Sequence, residues 1–76
     1  PDGDEKILEY LADNGASSES AVGRGTRLTS EQVRLLLRSL RTRGHVHVEG
    51  SGQKRRIKIT RAGSSWLRRQ RRAARR

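Results

Sequence analysis

The hydrophobic period of this chain changes at Gly44, and that change most narrows what it can fold into. Before it, Val33, Leu36, Leu37 and Leu40 recur at i, i+3, i+4 and i+7, the spacing of one face of an α-helix. After it, His45-Val-His-Val-Glu49 and Arg56-Ile-Lys-Ile-Thr60 alternate apolar with polar residues, the period of a strand with one buried face. Gly50-Ser-Gly-Gln-Lys-Arg55 separates the two runs and has the residue types of a hairpin tip. A helix that passes through one glycine into a hairpin points to an α+β domain, with Val46, Val48, Ile57 and Ile59 facing the same way.

The helix over 29–43 has clear ends. Thr29 suits the N-cap, and Gln32 three residues later completes a capping box. Gly44 can supply the left-handed residue that stops it, and Arg41 and Arg43 suit the negative end of its dipole. Leu35 lies off the apolar stripe.

An earlier helix is expected over Asp4–Asn14, with Asp2 or Asp4 as cap, Gly15 as stop and residues 1–3 as a flexible start. Ile7, Leu8 and Leu11 would be its buried stripe, with Tyr10 at the edge and an acidic outer face. A short second helix would be capped by Ser17 or Ser18 and contain Glu19, Ser20, Ala21 and Val22. Gly23 and Gly25 each cost such a helix roughly 1 kcal/mol relative to Ala, so it is expected to be short or frayed. Gly23 is the residue expected where two helices cross.

Thr60 can cap a last helix over 61–76, anchored by Trp66 and Leu67. Its end is densely basic, with Arg68, Arg69, Arg71, Arg72, Arg75 and Arg76. Three uses stay open for it: an arm that orders on nucleic acid, a dimerisation helix, or a disordered tail.

Seventy-six residues make one small domain, 1–76, with little room for a core. The expected core is Ile7, Leu8, Leu11, Val22, Leu28, Val33, Leu36, Leu37, Leu40, Val46, Val48, Ile57, Ile59, Trp66 and Leu67. With no cysteine there is no disulfide framework, zinc knuckle or thiol chemistry. No apolar run approaches the roughly 18 residues of a membrane span, and the acidic start is unlike a signal peptide. A cytoplasmic, nucleoid-associated protein is expected, with no membrane partner.

Charge narrows the partner. There are 18 basic and 8 acidic residues, for a net charge of +10. Residues 1–31 carry seven acids and three bases, whereas residues 32–76 carry fifteen bases and one acid. Fifteen of the basic residues are Arg, the side chain whose planar fork matches phosphate and guanine. Genome composition can favour Arg over Lys but does not gather bases into one half. Nucleic acid is therefore the expected partner, ahead of an anionic membrane surface.

Catalysis finds little support: the acids cluster in the first half, and no acid/base pair has recognisable spacing. No enzyme activity and no cofactor are expected. His45, His47 and Glu49 share one strand face and in principle make a metal triad, but a solvated face explains them as well, so no metal site is assigned. Gly23-Arg24-Gly25 lacks the preceding strand and the following Lys-Ser/Thr of a phosphate loop.

Helix, short helix, capped helix, hairpin, helix: this order, over nearly all 76 residues, resembles a winged helix-turn-helix domain. Leu28-Thr-Ser-Glu-Gln-Val-Arg-Leu-Leu-Leu-Arg-Ser-Leu-Arg-Thr-Arg-Gly44-His-Val46 is similar to the pattern of small bacterial and archaeal MarR/ArsR-type transcriptional regulators. Ile59-Thr-Arg-Ala-Gly63 is similar to the segment that ends the wing and opens the last helix in many of them. Gly25 to Thr29 departs from the family, which usually has a longer, Ala/Leu-rich second helix.

The resemblance implies a DNA-binding transcriptional regulator with a three-helix core, a two-stranded wing and a basic C-terminal helix. Helix 29–43 would enter the major groove by its N-terminal half, with Ser30, Gln32, Arg34 and Arg38 at base edges or nearby phosphates and Thr29 near the backbone. Arg41 lies on the same side of that helix. Wing 50–56 would reach the adjacent backbone or minor groove through Lys54, Arg55 and Arg56, and Lys58 adds to the basic hairpin. A homodimer, or adjacent copies on a repeated site, is expected. An RNA-binding or ribosome-associated winged helix and a non-specific architectural DNA binder are the alternative readings.

Overall fold

The computed structural model describes residues 2–74; Pro1, Arg75 and Arg76 lie outside the described residues. Four helices and one hairpin follow in the order α1 (Gly3–Asn14), α2 (Glu19–Thr26), α3 (Ser30–Thr42), β1 (Val46–Glu49), β2 (Arg56–Ile59) and α4 (Arg61–Ala74). This is the α+β architecture that the change of period at Gly44 implies.

Helix α1 starts earlier than expected. Asp2, one of the two expected caps, is its N-cap, accepting from the Glu5 backbone N–H at 3.0 Å, and the helix begins at Gly3, inside the stretch expected as a flexible start. Ile7, Leu8 and Leu11 are fully buried. Around them α1 packs on α2, α3, α4 and β2. It is the central post of the domain.

Helix α2 is capped by Ser18, which accepts from the Ala21 N–H at 3.1 Å. It then runs through both glycines to Thr26, whose hydroxyl donates back to the Val22 carbonyl at 2.7 Å. The propensity penalty of Gly23 and Gly25 is outweighed by packing, the usual outcome when a short helix has a buried face. The close helix crossing falls at Gly25 and not at Gly23. A Cβ on Gly25 would collide with the Tyr10 ring, whereas one on Gly23 would meet only Leu28 O at 3.7 Å and Val33 Cγ2 at 3.8 Å.

Both ends of α3 are as its sequence implies. Thr29 Oγ1 accepts from the Gln32 N–H at 3.1 Å, and Gln32 Oε1 accepts from the Thr29 N–H at 2.9 Å. At the far end Gly44 has φ +76°. Its N–H donates to the Arg41 carbonyl and that of His45 to the Leu40 carbonyl, each at 2.9 Å. These two bonds form a Schellman stop and turn the chain directly into β1.

The strands pair antiparallel, Val46 with Ile59 and Val48 with Ile57, which puts the four apolar residues on one face. Val46 and Ile57 are buried, while Val48 and Ile59 pack at the margin of the core. A short 3-10 turn, Gly52–Lys54, shapes the tip. A third segment joins the hairpin: Ser17 and Ile57 exchange backbone hydrogen bonds of 3.0 and 2.8 Å. Serine before a helix reads as a cap, and nothing local marks Ser17 as a sheet partner.

Thr60 closes the base of the hairpin. Its N–H donates to the His45 carbonyl at 3.0 Å and its hydroxyl to the Gly44 carbonyl at 2.6 Å, while Oγ1 accepts from the Gly63 N–H at 3.0 Å. Gly63 is buried because the first turn of α4 presses on the His45 carbonyl, where a Cβ would collide. From there α4 is helical to Ala74, with Leu67 buried and Arg71 Nε 3.7 Å from Glu9 of α1. Of the three uses left open for this end, a disordered tail is excluded for 61–74.

Ten apolar residues form the core, all from the expected set: Ile7, Leu8, Leu11, Val22, Val33, Leu37, Leu40, Val46, Ile57 and Leu67. Leu28, Leu36, Val48, Ile59 and Trp66 pack partly buried against it. Among the described residues no helix is long and apolar enough to cross a membrane.

Candidate nucleic-acid interface

The buried stripe of α3 determines what the helix shows to solvent. With Val33, Leu37 and Leu40 inward, the outermost ridge, opposite that stripe on a 100° wheel, is Glu31, Leu35, Arg38 and Thr42. All four are exposed. Leu35 is 59% accessible, the one large apolar side chain exposed among the described residues. Arg34, Arg41 and Ser30 lie on the flank that faces α2 and the hairpin.

That flank forms a basic trough. Arg34, Leu37, Arg38, Arg41 and Thr42 of α3 line one open concavity of about 600 Å³ together with Glu19 of α2 and Arg55 of the hairpin tip. Arg34 also borders a second concavity with Ser30 and with Ser20 and Arg24 of α2. Sequence alone does not single out Arg24, because a helix expected to be short or frayed gives position 24 no defined face. Glu19 is the second omission. Its carboxylate sits 3.5 Å from Arg55 Nη1, an acid inside an otherwise cationic trough.

The remaining expected site residues divide into groups. Thr29 and Gln32 are exposed but tied to each other in the capping box. Gln32 Oε1 thus already accepts one hydrogen bond, which limits the bidentate adenine contact that glutamine otherwise makes. Lys54 is exposed on the tip. Arg56 folds over the tip, its Nη1 donating to the Gln53 and Arg55 carbonyls at 2.9 and 2.8 Å. Lys58 points to the outer face of the hairpin, 3.8 Å from Glu49. The structure therefore brings Arg34, Arg38, Arg41 and Arg55 together, with Ser30 beside them, and leaves Lys58 on another face.

Arg43 faces away from the trough. Its guanidinium pairs with Asp4 of α1 and lies 3.3 Å from Ser39 Oγ, so it fastens α3 to α1. His45 follows, its ring 5.7 Å from that of Trp66 and its Nδ1 buried without a partner among the described residues. Burial pushes the His45 pKa below the ordinary imidazole value; Arg43 and Arg69 act in the same direction and Asp4 opposes them. His47 and Glu49 face solvent 4.0 Å apart, and His45 is turned towards Trp66, so the three do not converge as metal ligands.

The arrangement is that of a winged helix-turn-helix domain, and comparison with solved structures bears this out. A MarR-family transcriptional regulator from Silicibacter pomeroyi superposes with a TM-score of 0.81 at 21% identity, over 87% of this chain and 46% of that one. BpsR of Bordetella bronchiseptica, whose DNA binding is regulated by 6-hydroxynicotinic acid, gives 0.78 at 24% identity, over 87% and 48%. Human N-acetylserotonin methyltransferase gives 0.72 at 26% identity, over 83% of this chain but 19% of that one. The chain thus spans about half the length of these two regulators. At these identities the likeness is one of fold. No family model and no curated protein matches the sequence.

Proposed function

We propose that this chain binds double-stranded DNA as part of a transcriptional regulator, with α3 in the major groove by its N-terminal half and the tip 50–56 on the adjacent backbone or minor groove. The observation that carries this reading is the convergence of Arg34, Arg38, Arg41 and Arg55 on one open trough beside an exposed helix ridge. Duplex phosphates supply the matching negative charge, and a helix of this width fits a major groove. The fold's likeness to MarR-family regulators supports it. On that ridge Arg38 suits guanine, Glu31 suits the cytosine amino group, and Leu35 suits a thymine methyl. A single copy covers a short site, so two copies on repeated half-sites about 34–36 Å apart are part of the proposal.

Selection of bound duplexes from a random pool tests this directly. A recovered motif is expected, and half-site spacing within it gives the stoichiometry. On the selected site Arg34→Ala and Arg38→Ala should each cost roughly 1–3 kcal/mol, more than on random duplex. Equal losses on both would remove α3 as the reader. Binding of A-form RNA as tight as that of the duplex would remove DNA as the partner.

A further inference from the structure

The molecule carries a second cationic face. On α4, Arg61, Ser65, Arg68 and Arg72 fall at i, i+4, i+7 and i+11, one line along the helix, with Arg69 on its flank. The four arginines are exposed, and among the described residues none of them makes an ion pair. Their only polar side-chain contact there is Arg68 Nη2 to Ser65 Oγ at 3.3 Å. Arginines at these spacings repel one another, at a few tenths of a kcal/mol per pair, and no acid offsets the cost. The line from Arg61 to Arg72 is about 16 Å long at 1.5 Å per residue.

This stripe is not part of the α3 trough. Gly3 and Tyr10 mark the side of α1 that meets α3 and α2, through Leu36 and Gly25 respectively. Glu9, which meets Arg71 of α4, lies roughly 100–120° further around α1. Helix α4 therefore docks on a different side of α1 and turns Leu67 and Gly63 inward, so its arginine line, opposite them on the helix wheel, faces outward.

From the separation and composition of the two faces, we infer that the α4 stripe is a second duplex-binding surface, which lets one copy hold a second DNA segment by its phosphates while α3 holds the first. A protein partner fits less well. Interface cores are depleted of charge and rich in apolar and aromatic residues, whereas the apolar side chains Trp66 and Leu67 are packed into the fold. A second copy's acidic α1 fits less well too: Asp4 and Glu9 are engaged by Arg43 and Arg71 and Asp2 by the cap, which leaves Glu5 and Asp13 against a line of arginines about 16 Å long. The contact would be sequence-indifferent and steep in salt, since guanidinium–phosphate pairs release counterions and read no base edge.

This inference rests on the α3 reading for the first duplex, and a two-duplex capture assay separates the two. The wild-type protein on an immobilised selected-site duplex should retain a labelled duplex of unrelated sequence. The Arg68→Gln/Arg72→Gln variant should bind the immobilised site within about twofold of wild type but lose roughly tenfold or more of the second capture. The salt slope of that capture should fall by about 0.9 for each phosphate contact removed. Arg34→Ala/Arg38→Ala should do the converse, losing site preference while still binding random duplex through α4. If only the α4 variant lowers DNA binding, the α4 site stands and the α3 reading falls. The inference is overturned if wild type retains no second duplex, or if the α4 variant retains it undiminished. It is likewise overturned if capture tracks a protein dimer that the α4 variant dissolves in sedimentation.

Discussion

Single residues in this domain act through what they sit against. Glu19 is the clearest case. Its carboxylate neutralises Arg55 at 3.5 Å inside the trough that faces the proposed duplex. A phosphate entering there competes with Glu19 for the same guanidinium, so Glu19→Gln should tighten duplex binding by about two- to fivefold at low salt, the scale of one half-exposed pair. Titration by fluorescence anisotropy checks it; unchanged or weaker binding would mean that Arg55 does not reach DNA. Glycines give a contrast in stability. At Gly23 a methyl group finds ordinary contact distance, so Gly23→Ala should stabilise the domain by up to about 1 kcal/mol through helix propensity. At Gly63 the methyl group meets the His45 carbonyl, a backbone group that cannot swing aside, and Gly63→Ala should cost about 1–3 kcal/mol. Urea melts of the two variants should move in opposite directions.

Elements divide the labour between holding and positioning. Lys54 is exposed on the tip Gly52–Lys54 and makes no ion pair among the described residues, so its contribution should be electrostatic and blind to sequence. Lys54→Ala is expected to weaken selected and random duplexes alike and to lower the slope of log affinity against log salt by about 0.9; a change in the selected motif would instead make the tip a reader. The elements also differ in how far their sequence betrays them. Capped α3, the alternating strands and the Thr60–Gly63 corner were legible because each is specified locally, by a side chain that bonds within three or four residues or by a period. Helix α2 was misread at Gly23–Thr26, since its stability comes from Val22 in the core and from Tyr10 across the gap at Gly25. The Ser17–Ile57 pairing was illegible for the same reason: a backbone-only contact across forty residues leaves no mark on side-chain type. In the site, exposed Arg on α3 could be read by angle. Glu19, Arg24 and the capped state of Gln32 needed the neighbouring elements in place.

At the scale of the whole molecule, the acidic first half does not lie idle against the basic second half. Asp4 pairs with Arg43 at the end of α3 and Glu9 with Arg71 in the last turn of α4, so α1 fastens two cationic helices near their C-terminal ends. His45 is set among these charges. Since burial, Arg43 and Arg69 depress its pKa, the folded state favours neutral imidazole more than the unfolded state does. Its contribution to stability is full above the unfolded value of about 6.5 and is lost as pH falls below it towards the folded value. Thermal midpoints measured downward from neutral pH should therefore decline more steeply for the wild type than for His45→Gln, and parallel curves would show that His45 is not the group responsible. The Thr60 corner has a wider consequence. Within a few ångströms it ties the end of α3, the base of the hairpin and the start of α4, and the Ser17–Ile57 bonds add the turn after α1. Helix α3, the hairpin and α4 are thus fastened to one another at a single corner. For the duplex proposed as the partner, accommodation then falls on the nucleic acid. Pyrimidine–purine steps that bend cheaply should be enriched at positions that no side chain touches, as a record of the protein's stiffness written in its preferred sequence.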